Sequence, residues 1–199
     1  MEMEGSMGRR AMVKSMEASH RRAARAAIRE AMGQGRWLGV SDACIDVAGR
    51  ASVAWAVFDP SGALAASGAA RVELSEERST SDAEGQGMLM AALALRGLGA
   101  PSALMLCDCR SAIERMSGAR GPGALGRADF EALSRGRYEI RWAPRSMMGP
   151  ANDACRAELG LRPEGELARG WAPWMAAARG AGPVGGVEPE AGAPRGVRF

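Results

Sequence analysis

Three stretches between Trp37 and Leu74 alternate apolar and polar residues with the period of two expected of half-buried strands. Trp37, Leu38 and Val40 lead into an acid, Asp42, and a Gly-bearing turn at Ala48–Arg50 follows. Val53, Trp55 and Val57 then form the antiparallel partner. Asp59-Pro60-Ser61-Gly62 is a turn sequence, since Pro sets φ early and Gly accepts a positive φ late. A third strand over Ala63–Leu74 completes the meander, and a polar loop, Ser75–Asp82, comes after it.

Beyond this loop the period changes. Met88, Leu89, Ala92, Leu95 and Leu98 recur at helical steps, with Glu84 near the start of the same face. Pro101 ends that unit, and Ala103–Cys107 (ALMLC) is a continuous apolar run of the kind buried on both faces of a sheet. The run ends in Asp108, and the helical stretch CRSAIERM follows. A Gly/Pro loop (118–127), a weaker helix (Ala128–Leu133), a strand (Tyr138–Trp142), a loop (143–151) and a helix (Asn152–Leu159) complete the order.

The flanks differ from this centre. Helix formers dominate from Ala11 to Met32, with a thin apolar stripe (Met12, Met16, Ala23, Ala27, Ala31) and a basic face (Arg21, Arg22, Arg25, Arg29). That pattern predicts a solvated helix, or alternatively one that lies along a phosphate backbone. His20, the single histidine, is read as a surface residue there. From Leu161 the chain turns to Gly, Pro, Ala and Arg, a composition expected to be disordered, with Trp171 and Trp174 as candidates for docking on the domain. The expected organisation is a basic helical extension (1–36), one α/β domain (37–160) and a tail (161–199).

Composition changes this picture little. The hydrophobic fraction of 47% over 199 residues suffices for one core. The net charge of +3 permits a polyanionic partner without demanding one. Cys44, Cys107, Cys109 and Cys155 lack paired metal-ligand spacing, which argues against zinc and for free thiols in a reducing cytoplasm. No apolar run approaches the roughly 18 residues of a membrane span, and no export signal is evident.

The acids carry the chemistry. Asp42 lies within a strand, Glu84 on the first core helix and Asp108 at the end of a buried strand, where open α/β sheets place their sites. If the fourth strand pairs beside the first, the three converge. Clustered carboxylates repel one another unless a divalent cation lies between them, and hard oxygen donors select magnesium or manganese. Such a centre suits phosphodiester hydrolysis.

Over about residues 38–160 the chain resembles the ribonuclease H family of the type 1 and reverse-transcriptase-like kind. The matching stretches are VSDACIDVAGRASVAWAVFDPSGALAASG, SDAEGQGMLMAALALRGL, LMLCDCRSAIERM and WAPRSMMGPANDACRAELG. The resemblance implies an α/β ribonuclease H-like fold. Its five-stranded mixed sheet would have three antiparallel strands, then two parallel-type strands, flanked by helices. It implies Asp42, Glu84 and Asp108 as catalytic ligands of Mg²⁺ or Mn²⁺, with Asp42 shared between two ions. It implies an RNA–DNA hybrid as partner and cleavage of the RNA strand.

The closing segment departs from the family's pattern. Aligning Asn152 with the family's Asn puts Ser146 at the place of a loop His and Arg156 at the place of the fourth carboxylate. Asp153, one helical turn earlier, is the candidate replacement as catalytic and metal-binding residue. Asn152, Arg145, Arg21, Arg22 and Arg25 are the expected nucleic-acid contacts. Two further readings stay open: a catalytically weakened module that binds nucleic acid or protein, and another metal nuclease on the same scaffold, such as a junction resolvase.

Overall fold

The expected strand order is realised in the computed structural model, which describes residues 4–73, 80–117 and 127–161. Most of the predicted polar loop and Gly/Pro loop, and the tail with Trp171 and Trp174, lie outside those residues. The elements are α1 (Glu4–Gly33), β1 (Trp37–Ile45), β2 (Ala51–Phe58), β3 (Leu64–Val72), α2 (Thr80–Gly97) and β4 (Ala103–Cys107). They continue with α3 (Arg110–Met116), α4 (Arg127–Ser134), β5 (Tyr138–Trp142), a 3-10 turn (Arg145–Met147) and α5 (Gly149–Glu158).

One five-stranded sheet runs β3-β2-β1-β4-β5. The first three strands are antiparallel, and β4 lies parallel to both β1 and β5. A parallel neighbour needs a crossover, and α2 supplies it. The hairpin turns are held by their own acids. Asp46 Oδ1 accepts from the amides of Ala48 and Arg50, each at 2.9 Å. Asp59 Oδ1 accepts from the Ser61 and Ala63 amides at 2.8 and 3.0 Å, and Gly62 takes φ +88°.

Position in the sheet explains the burial. β1 is central, so Leu38 through Cys44 are buried without alternation, whereas β3 at the edge alternates half-buried and exposed residues. One face packs Leu38, Val40, Leu104 and Leu106 against α1 and the closing segment with α5. The other packs Met105 and Cys107 against Met88 and Leu95 of α2 and Phe130 of α4. Gly87 permits the close seating of α2. A Cβ there would lie 3.4 Å from Ser41 Cβ and 3.5 Å from the Asp42 carbonyl oxygen.

Several boundaries differ from the sequence expectation. β3 ends at Val72 rather than Leu74. α2 begins at Thr80, inside the expected loop, so Glu84 lies beyond the first turn, where the helix dipole has its main effect. α5 begins at Gly149 rather than Asn152, with Pro150 in a first turn that needs no N–H from it. α1 starts at Glu4, and its buried stripe is rotated. Ala24, Ile28 and Ala31 enter the core, while Met12 and Met16 stay 59% and 52% exposed. Ile28 is the only branched aliphatic residue in that half of the helix, and its burial sets the register. Arg36 secures the end of α1 through Glu139 Oε2 at 2.9 Å and the Ala103 carbonyl at 2.7 Å.

Candidate active site

Asp42 is wholly buried in the middle of β1, opposite Ala54 of β2. Parallel pairing of β1 with β4 ends at Val40–Leu106, which sets Asp108, just past β4, close to the level of Asp42. Glu84 comes from α2, at 4% exposure, on the helical face that also buries Met88 and Ala91. Thus three elements deliver one acid each to the same end of the sheet.

Asp42 and Glu84 each feel the charge of other acids. Burial and then repulsion from Asp108 raise Asp42 from the usual 3.8 to about 7. Burial, followed by repulsion from Asp42 and Asp108, raises Glu84 from 4.5 to about 9. Burial also raises Asp108, with Arg145 opposing. Upward shifts of this kind mark negative charge in a poor solvent without enough cation beside it.

Cys107 completes that side. Its thiol lies 3.7 Å from Glu84 Oε2, and donor atoms of Glu84, Cys107 and Asp108 fall within 4.8 Å of one another. Burial holds the thiol well above its usual range, with Glu84 adding to the shift, so it stays protonated. The oxygen donors of Glu84 and Asp108 suit a hard cation, and the softer Cys107 sulfur does not. Asp42 Oδ1 has no hydrogen-bond partner among the described residues, although it is buried. A desolvated oxygen of this kind is costly unless something binds it. The donor set fits a hard divalent cation.

The side facing α5 is different. Asn152 Nδ2 donates to Asp42 Oδ2 at 2.7 Å, and Asn152 Oδ1 is buried without a hydrogen-bond partner among the described residues. Thus the α5 residue on Asp42 is Asn152. Asp153 is half-buried, and its Cα lies about 100° further round the helix. Arg156, a turn beyond Asn152, exerts its charge on Cys44. Arg145, an expected nucleic-acid contact in the 3-10 turn, lowers both Asp42 and Asp108 through its charge. On α1, Arg22 and Arg25 are exposed, while Arg21 is half-buried, 3.8 Å from Glu17.

Several neighbours escaped the sequence reading. Trp142 Nε1 donates to the Asp108 carbonyl at 2.8 Å and so ties the end of β5 to the acid-bearing turn. Arg110 lies over the Trp142 ring at 4.7 Å, and His20 meets it edge-on at 5.1 Å. His20 is therefore half-buried against the domain rather than a plain surface residue. A Trp closing the strand YEIRW was the available signal, but nothing linked it to α1. Arg115 reaches from α3 to Asp82 at 2.8 Å and braces the start of α2.

No protein-family model matches the sequence, and no curated protein matches it either. Solved structures do. RNase H1 from the halophilic archaeon Halobacterium salinarum superposes with a TM-score of 0.53 at 18% identity, covering 63% of this chain and 98% of its own. The N-terminal RNase H domain of Rv2228c from Mycobacterium tuberculosis gives 0.54 at 20%, covering 74% and 99%. LC11-RNase H1, from a compost metagenome and solved in complex with an RNA/DNA hybrid, gives 0.54 at 14%, covering 63% and 97%. Nearly the whole of each neighbour is matched, and the part matched here contains a mixed five-stranded sheet with flanking helices. The chain has the ribonuclease H fold.

Proposed function

We propose that the protein is a metal-dependent endonuclease of the ribonuclease H type, which hydrolyses the RNA strand of RNA–DNA hybrids. The observation that carries this reading is the grouping of Glu84 and Asp108 donor atoms within 4.8 Å, together with an Asp42 oxygen that is buried and, among the described residues, unpartnered. These three residues would hold Mg²⁺ or Mn²⁺. A cation bound there supplies a water of lowered pKa and charge to offset that developing on the phosphate. The chain's own part is to position the acids on rigid elements and to shield them. α2 seated at Gly87 fixes Glu84, and the Trp142 indole fixes the Asp108 turn.

Nucleic acid is the partner this site suits. Residues 37–160 would form the catalytic unit, and Arg145, whose charge acts on Asp42 and Asp108, would contact the phosphate. Arg22 and Arg25, with Arg21, add phosphate contacts from α1. The hybrid neighbour supports an A-form substrate, whose minor groove shows 2′-hydroxyls. Buried free thiols at Cys44, Cys107 and Cys155 are in keeping with a reducing, cytoplasmic setting. No helix among the described residues is long and apolar enough to cross a membrane.

Cleavage of a labelled RNA–DNA hybrid in Mg²⁺ or Mn²⁺ tests the reading. Wild type should cut the RNA strand, and Asp108→Asn should lose about 100-fold or more. Equal activity in both proteins, or none in either, rejects it. The amide of Asn152 against Asp42 favours one second reading, a catalytically weakened binding module. Hybrid binding without any cleavage would select that alternative.

A further inference from the structure

We infer that the site holds one divalent cation rather than two, because α5 presents the amide of Asn152 to Asp42 where a second ion would need a carboxylate. The inference rests on the nuclease reading and deepens it.

Asp42 has two oxygens with different surroundings. Oδ1 is buried and, among the described residues, unpartnered, which leaves it open to a cation. Oδ2 accepts the Asn152 Nδ2 hydrogen bond at 2.7 Å. To bridge to a second ion on the α5 side, Oδ2 would have to give up that bond. An amide carries no charge, so Asn152 would offer such an ion a neutral oxygen, Oδ1, where a carboxylate would offer a charged one. The neighbouring charges add to the difficulty. Arg145 acts on both Asp42 and Asp108, and Arg156 acts on Cys44, two residues along β1. A second dication would therefore enter a region already served by guanidinium groups, where repulsion is strong in a poor solvent.

Asp153 is the only other acid in α5 before Glu158, and the hydrogen bond to Asp42 comes from its neighbour instead. The helix would have to rotate by about 100° to exchange the two. That rotation would withdraw Ala151, Cys155 and Leu159 from the core, where all three are buried.

Mn²⁺ binding to the full chain tests the inference, counted by the electron paramagnetic resonance signal of the free ion. Wild type should bind one Mn²⁺ per chain. Asn152→Asp should bind two, with a spin-coupled signal from the pair. Circular dichroism shows whether the variant folds, and if it does not, the wild-type count decides alone. Two ions on wild type overturn the inference while leaving the nuclease reading intact, and a return to one in Asp153→Asn would then identify Asp153 as the extra ligand. A single ion on a folded Asn152→Asp also overturns it, because Asn152 is then not the determinant. No ion bound to wild type overturns both the inference and the reading beneath it.

Discussion

Asp42 has two unlike sides. Towards α2 and β4 lie Glu84, raised by burial and then by the charges of Asp42 and Asp108, and Asp108, raised by burial. Towards α5 it meets a neutral amide at 2.7 Å, with Arg145 and Arg156 in the same region. The first side has negative charge in excess of its hydrogen bonds and needs a cation. The second supplies its own donor and positive charge. A carboxylate can be buried in a central strand when one oxygen is satisfied by the protein and the other is left for a ligand.

Substitution on the two sides should give unequal losses. Asp42→Asn removes the acid common to both, and hybrid cleavage should fall by about 100-fold or more. Asp153→Asn should cost no more than about threefold. Similar losses from the two would erase the distinction between the sides.

Gly87 offers a way to damage the acid side without touching an acid. Gly87→Leu places atoms where Ser41 and the Asp42 backbone already lie, so α2 must lift from β1. Chemical denaturation should show a loss of about 1–3 kcal/mol, and Mn²⁺ affinity should weaken as Glu84 moves away. Unchanged affinity in the folded variant would mean that α2 does not set the position of Glu84.

A smaller effect is expected from pH. Unfolded, Asp42 and Glu84 ionise near 3.8 and 4.5, whereas folded they hold their protons to about 7 and about 9. The folded state thus binds more protons over that window. Stability of the metal-free protein should be fully present below the unfolded values and decline as pH rises through 7 towards 9. Thermal melts in chelator should show this slope, Glu84→Gln should flatten it, and saturating Mn²⁺ should oppose it. A melting temperature independent of pH in chelator would remove the uncompensated charge from the account.

Much of this was legible from residues whose local pattern and tertiary role agree. ALMLC reads as a strand buried on both faces and is one, five residues long, with Asp108 just after it. The alternation around Asp42 and Val53–Val57 fixed the hairpin that β1 and β2 form. Legibility failed where one residue of helical phase decides the outcome. Asn152, Asp153 and Arg156 are each polar on a short helix, and the choice among them belongs to Ala151, Cys155 and Leu159 packing below. It failed again on α1, where alanines dominate and apolar weight hardly distinguishes one face from another. Ile28 and the His20–Trp142 contact settle that helix, and both depend on a sheet that lies far away in sequence.

The most direct test of the central claim is anomalous diffraction from crystals soaked in Mn²⁺. The account predicts one peak, in contact with Asp42, Glu84 and Asp108, with the Asn152 amide still on Asp42. A second peak between Asp42 and α5, or a lone peak held by Asp153, would contradict it.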